Sequence, residues 1–156
     1  MKTRGIIILM ALFLTTGTSF SQNDWFDKFS DNKDITQVTV TKALLKMTPK
    51  IAGSVNMNGV NIKGIMDKLD QIDIFTSDEN AGKKLMRKEI TAFFKKNKSY
   101  EVLMKVKNED NNVTFYGQKD GDFIKSLVMF VDGDDQCVII RLLGKFTFQD
   151  IQKITE

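Results

Sequence analysis

The clearest alternation of apolar and polar positions lies between Glu79 and Lys96. Apolar side chains recur there three and four positions apart, which places them on one face of a helix: Leu85, Met86, Ile90, Phe93 and Phe94. Basic side chains take the opposite face: Lys84, Arg87, Lys88 and Lys95. Thr76, followed three residues later by Glu79, is a capping-box pattern and predicts the helix start. The segment predicts one long amphipathic helix that packs on a sheet.

The last third of the chain has the pattern of consecutive β-strands. Residues 100–107 alternate apolar and mostly polar positions, and residues 113–117 form the next predicted strand. Residues 123–131 and 137–143 are apolar on both faces, which is typical of strands that are covered on both sides. Asp120-Gly121 favours a hairpin turn. Together these segments predict a C-terminal β-meander.

The first half of the chain predicts shorter elements. Val38 and Val40 alternate with threonines in a strand over 35–41, and a second strand covers 72–75. Several short helices are also predicted, over 24–29, 42–47, 62–69 and 146–154. Runs of adjacent strands indicate an α+β domain with an antiparallel sheet rather than a doubly wound parallel fold. One edge of that sheet could recruit a partner strand, and the strand order decides which.

The first 21 residues have the pattern of an export signal. Lys2 and Arg4 precede an unbroken apolar run from Ile6 to Leu14, and small or polar residues follow as far as Ser21. Cleavage after Ser21 would leave residues 22–156 as a single α+β domain. An uncleaved membrane anchor is the alternative, but a spanning helix needs roughly 20 apolar residues. No cysteine follows the run, so we expect an exported, periplasmic or envelope-associated protein that is not a lipoprotein.

The composition excludes several classes of function. The 156 residues contain no histidine and one cysteine, which excludes imidazole-based triads, internal disulfides and cysteine-rich zinc sites. Cys137 lies in an apolar run and is expected to be buried and inert, and the alternative is an exposed thiol that reacts or pairs between molecules after export. The net charge of +3 falls to +1 when the signal segment takes two basic residues with it. A balance so near neutral gives no general attraction to nucleic acid.

The basic side of the predicted long helix supplies the candidate binding residues, which are Lys84, Arg87, Lys88 and Lys95. Such a face could bind an anionic lipid, a polysaccharide or a protein partner. The alternative interpretation is a solvated helix face, because lysine and arginine favour helices and an exposed face needs charge.

Two further features allow two interpretations each. The acidic turn could offer oxygen ligands to Ca²⁺, without the spacing of an EF-hand, or could serve the turn alone; it contains Asp132, Asp134 and Asp135. The aromatic residues near the predicted new N-terminus could staple that end to the domain or form an exposed docking helix; they are Trp25, Phe26 and Phe29.

Several short motifs resemble those of a known family. They are Trp25-Phe-Asp-Lys-Phe29, Val38-Thr-Val-Thr-Lys42, Ile72-Asp-Ile-Phe75, Lys125-Ser-Leu-Val-Met129 and Val138-Ile-Ile-Arg-Leu-Leu-Gly144. With the signal pattern, they make the chain similar to a family of small exported proteins of Bacteroidota that is catalogued as a domain of unknown function. Many members resemble lipoproteins, whereas this chain lacks the cysteine. The resemblance implies an exported single domain and carries no catalytic residue.

From these observations we expect an exported, non-enzymatic domain that binds an envelope protein or another envelope component, without a cofactor or a metal. One alternative is a small-molecule or lipid carrier, in which the twice-apolar strands enclose a cavity. A second is a histidine-free hydrolase built on carboxylates or on serine and lysine. Nucleic acid is not expected as a partner, and no transmembrane span is expected in the mature chain.

Overall fold

The computed structural model describes residues 26–47 and 62–155, which contain one antiparallel sheet of six strands. The strands are β1 Thr36–Thr41, β2 Leu69–Ser77, β3 Tyr100–Lys107, β4 Asn111–Asp120, β5 Phe123–Gly133 and β6 Cys137–Phe146. Their order across the sheet is β1-β2-β6-β5-β4-β3. The last four strands therefore form a meander, and β6 joins that meander to β2.

Helical segments cover the sheet, and the α+β class is confirmed. They are α1 Asp27–Ser30, α2 Lys42–Met47, the 3₁₀ helix Lys63–Lys68, α3 Asn80–Lys96 and α4 Phe148–Thr155. The elements follow one another in the predicted order. The predicted signal segment and Trp25 lie outside the described residues.

Both faces of the sheet are buried, because alternate residues of β2, β5 and β6 enter two different cores. One core joins α1 and α3 to the sheet through Phe29, Phe75, Met86, Ile90, Val128 and Ile139. The other joins α2, the 3₁₀ helix and α4 to the opposite face through Leu45, Ile65, Ile72, Met129, Ile140 and Ile151. Strands that are apolar on both faces are what two helical layers require.

The first residues that the structure describes are stapled to the domain. Phe26 and Phe29 are buried, and their ring centroids lie 5.2 and 5.3 Å from that of Phe75. For these two rings the staple interpretation therefore fits, and the exposed docking helix does not.

The predicted capping box at the start of α3 does not form. Thr76 is still part of β2, where it pairs with Val138 of β6, and Glu79 makes no side-chain capping bond. The Ser77 hydroxyl instead donates to the carbonyl oxygen of Asp34 at 2.6 Å. Pairing with β6 thus holds Thr76 extended, and the helix begins at Asn80, one residue after the predicted start at Glu79.

A capping box is present at α4. The Asp150 carboxylate accepts hydrogen bonds from the backbone N–H of Thr147 at 2.8 Å and from its hydroxyl at 2.9 Å. In return the Asp150 backbone N–H donates to the Thr147 hydroxyl at 3.3 Å. These reciprocal bonds satisfy donors that the first turn of a helix leaves open.

Candidate functional site

The basic residues of α3 form two separate lines on the helix. Lys83 and Arg87, one turn apart, point to the turn between β5 and β6. The Arg87 guanidinium donates to the Asp132 carboxylate at 2.6 Å and to the carbonyl oxygen of Gly133 at 3.0 Å. The hydrogen bond to Asp132 raises the pKa of Arg87 above its usual value. Arg87 thus anchors the helix to the sheet, unlike the other three candidate residues.

The second anchor of α3 occupies the acidic turn. Lys83 is buried, and its ammonium group donates to the carbonyl oxygens of Asp134 and Asp135 at 2.7 and 3.4 Å. Two side-chain cations of the protein therefore already bind this turn, Lys83 at its backbone carbonyl oxygens and Arg87 at the Asp132 carboxylate. Among the described residues, no three histidine, cysteine, aspartate or glutamate side chains are grouped so that they could hold a metal ion.

The second line of α3 faces solvent. Lys84, Lys88 and Lys95 are exposed, and within the described part of the chain none of them forms an ion pair. Lys84 and Lys88 are one turn apart, which is about 6 Å along the axis, and Lys95 follows two turns later on the same side. The acidic residue of α3, Glu89, is paired with Lys28 at 2.9 Å. We call these three residues the lysine stripe.

Cys137 has the inert character that its sequence context indicates. The side chain is buried at the start of β6, and its sulfur lies 3.6 Å from a carboxylate oxygen of Asp132. Burial raises the pKa of the thiol. A thiol held in the neutral form is a poor nucleophile.

The chain also buries an ion pair in the middle of the sheet, which sequence reasoning missed. Asp73 of β2 lies directly opposite Arg141 of β6, and two guanidinium nitrogens donate to one Asp73 oxygen at 2.9 and 2.7 Å. Thr39 and Gln71 donate to the same carboxylate. The Arg141 guanidinium also lies 4.2 Å from the ring centroid of Phe26. No local pattern could have revealed the pair, because its residues are 68 positions apart.

A second buried carboxylate is held by a lysine at the other helical layer. Asp150 accepts a hydrogen bond from the Lys68 ammonium at 2.6 Å, which links the 3₁₀ helix to α4. Burial raises the pKa of Asp150, but the bonds from Lys68 and Thr147 outweigh it and bring the pKa down to about 2. This carboxylate is thus held ionised and is unsuited to act as a general acid.

An open surface groove lies between α2 and the 3₁₀ helix. Its volume is about 430 Å³, and it is lined by Lys42, Leu45, Lys46, Lys63, Met66, Asp67 and Leu69. Because the groove lies at the surface, it differs from the enclosed cavity between twice-apolar strands that the carrier alternative requires. The two helical layers account for those strands.

The described residues thus define an α+β domain in which an antiparallel sheet lies between two helical layers. Residues 29–154 match the model of a family described as a domain of unknown function (DUF4252), and the chain belongs to that family. No curated protein and no solved structure matches the chain. Across residues 26–47 and 62–155, the structure contains no helix that is long and apolar enough to cross a membrane.

Proposed function

We propose that this chain is an exported, non-enzymatic domain that binds an anionic component of the cell envelope through the lysine stripe. The observation that carries the proposal is that some basic residues of α3 bind the sheet while others face solvent. Lys83 and Arg87 fix the helix to the β5–β6 turn, so the stripe is presented on a helix that is held in place. A fixed row of exposed ammonium groups attracts anionic headgroups or polymers.

The surroundings of the stripe support the same proposal. Helix α3 carries six basic residues and one acidic residue, and that acid is already paired with Lys28. Lys96 adds a further exposed charge next to Lys95. A helix face that served only solubility would normally mix both signs of charge.

The state of the buried polar side chains supports a non-enzymatic role. Asp73 and Asp150 are each bound by a cation, and the Cys137 thiol is held neutral. The hydroxyl of Ser126 accepts a hydrogen bond from Tyr100 at 3.0 Å. These groups are engaged in the architecture, and the Asp132 carboxylate beside Cys137 is itself bound by Arg87. A hydrolase activity would appear as turnover in a screen of envelope polysaccharides and esters, and such turnover would contradict this part of the proposal.

Binding can be tested with phospholipid vesicles and the chain 22–156. We expect it to bind vesicles that contain an anionic phospholipid and not vesicles of zwitterionic phospholipid alone, with binding that weakens as salt is added. The triple variant Lys84→Gln, Lys88→Gln, Lys95→Gln should bind roughly 100-fold more weakly, since each lysine near an anionic surface contributes about 1 kcal/mol.

The matched control removes the same charge elsewhere. Lys105, Lys107 and Lys125 are exposed residues of β3 and β5, and their conversion to glutamine also lowers the net charge by three. This control should bind like the unmodified chain. If both triple variants lose binding equally, the attraction depends on net charge and the stripe is not the site. If neither loses it, the proposal fails.

Export is tested separately. The basic start and the apolar run Ile6–Leu14 support removal of residues 1–21 on export. In the native cell we expect the mature protein outside the cytoplasm, with an N-terminus at Gln22. An unprocessed chain that is confined to the cytoplasm would refute export.

A further inference from the structure

Within the part of the chain that the structure describes, the edge of the sheet formed by β1 lacks the usual protection against pairing with another strand. β1 is the terminal strand of the sheet, and its sequence is Thr-Gln-Val-Thr-Val-Thr, without charge and without proline. It pairs with β2 without a bulge, from Thr36 opposite Thr76 to Thr41 opposite Gln71. Native proteins normally blunt an edge with charges, proline or a bulge, so a regular and neutral edge strand is suited to pairing.

The opposite edge of the sheet, formed by β3, has features that protect it against pairing with another strand. β3 carries three charged side chains, which are Glu101, Lys105 and Lys107. Its pairing with β4 is interrupted by an irregularity between Val102 and Met104. Both features disfavour addition of a further strand. The two edges thus differ, although each exposes a valine to a similar extent: Val38 is 46% and Val106 44% exposed.

We propose that β1 pairs antiparallel with β1 of a second copy of this chain, around a two-fold axis perpendicular to the sheet. That axis keeps equivalent faces together. Val38 and Val40, which lie opposite Ile74 and Ile72, would adjoin the valines of the partner copy. On the other face of the sheet, the threonine hydroxyls and the glutamine amide of one β1 strand would contact those of the partner copy.

The charges that flank β1 favour antiparallel pairing with a second copy of the chain. Asp31, Lys33 and Asp34 precede the strand and carry a net charge of −1, whereas Lys42 and Lys46 lie in the helix that follows it, where Lys42 is also paired with Asp70. Antiparallel pairing brings the acidic end of one copy beside the basic end of the other, and it does so twice. A parallel pairing would place like charges together.

The interface should be weak. A strand of six residues offers less than the roughly 1,200 Å² that stable complexes bury at a minimum. We therefore expect a dimer with a dissociation constant on the order of tens of micromolar. The dimer would join two six-stranded sheets into one continuous sheet.

Sedimentation velocity over a concentration series tests the proposal with the chain 22–156, which contains all the elements described above. Val38→Lys places a charge near the two-fold axis in both copies, so we expect the dissociation constant to rise about tenfold or more. Val106→Lys is the matched control at the other edge and should dimerise like the unmodified chain. Thr36→Lys, at an exposed site of β1, is a second test variant if Val38→Lys fails to fold.

Amide hydrogen exchange identifies the surface that pairs. Amides of residues 36–41 should exchange more slowly at high protein concentration, and those of residues 100–107 should not change. An unmodified chain that stays monomeric throughout the series would overturn the proposal. A dimer that survives both β1 variants, or one that forms without protecting residues 36–41, would also overturn it.

Discussion

Removal of the Asp73 carboxylate is the most severe test of how the sheet is held together. The side chains of Asp73 and Arg141 are only 3% and 10% exposed, so neither charge can be hydrated in place of its partner. Asp73→Ala removes the acceptor of two Arg141 hydrogen bonds and of the bonds from Thr39 and Gln71. The guanidinium then remains buried without this counter-ion.

The expected loss follows from that geometry. Breaking a buried ion pair by removing one partner costs about 3–5 kcal/mol, mainly because the remaining charge is uncompensated. Domains of this size have about 5–15 kcal/mol in total, so Asp73→Ala should lose a large part of the free energy of unfolding. The pair Lys119–Glu101 has side chains that are 45% and 57% exposed. Glu101→Gln should therefore cost at most about 1 kcal/mol.

Urea unfolding of the chain 22–156, followed by circular dichroism, measures both changes. The double variant Asp73→Leu, Arg141→Met removes both charges while keeping similar volume. It should be more stable than Asp73→Ala, because replacing a buried pair by apolar groups is often neutral. If Asp73→Ala costs no more than Glu101→Gln, or if the double variant is less stable than Asp73→Ala, the reasoning about the loss of this counter-ion is refuted.

Three further predictions concern packing, acid and the N-terminal staple. Alanine favours helices, but Gly82→Ala should still lower the free energy of unfolding by about 1–3 kcal/mol, because the new Cβ would lie 2.1 Å from the Ser77 hydroxyl oxygen. In the same urea assay the control Gly64→Ala should be tolerated, since the nearest atom to its new Cβ lies at 3.7 Å. The stabilisation from ionised Asp150 should be complete above the ordinary aspartate pKa of 3.8 and should be lost as the pH falls through the folded pKa of about 2. Urea unfolding at several acidic pH values should show this loss, and Asp150→Asn should abolish this part of the pH dependence. Deletion of residues 22–30 removes two buried rings and should lower the thermal midpoint by about 10 °C or more, whereas an unchanged midpoint would show that the rings do not staple the domain.

Local patterns predicted the elements of this fold because those patterns depend on one strand or helix at a time. The alternation at Ile72, Ile74 and Phe75 placed the two isoleucines and the phenylalanine on opposite faces, and the structure has them in different cores. The capping box predicted at Thr76 was wrong because pairing with β6, a distant strand, keeps Thr76 extended. The capping box at Thr147 was missed because an aspartate replaces the usual glutamate or glutamine.

The candidate site was predictable only in part. Helical periodicity placed four basic residues on one side of α3, but periodicity does not show what lies opposite each of them. Arg87 meets Asp132 because the β5–β6 turn is brought against the helix by the sheet, and that contact spans 45 positions. The exposed Lys84 differs from the buried Lys83 for the same reason. Whether a basic residue of α3 binds the β5–β6 turn or faces solvent therefore depends on the tertiary structure.

The position of β6 in the sheet has a consequence for the order of folding. β1 and β2 contact the meander through β6, and β6 is the last of the described strands along the chain. Until residues 137–146 emerge, β2 has no partner on one side and the Asp73 carboxylate has no guanidinium opposite it. The sheet can then be completed only by contacts over long sequence separations, which form slowly because the intervening chain must first be closed into a loop. The β2–β6 pairing therefore has to wait for the most C-terminal of the described strands.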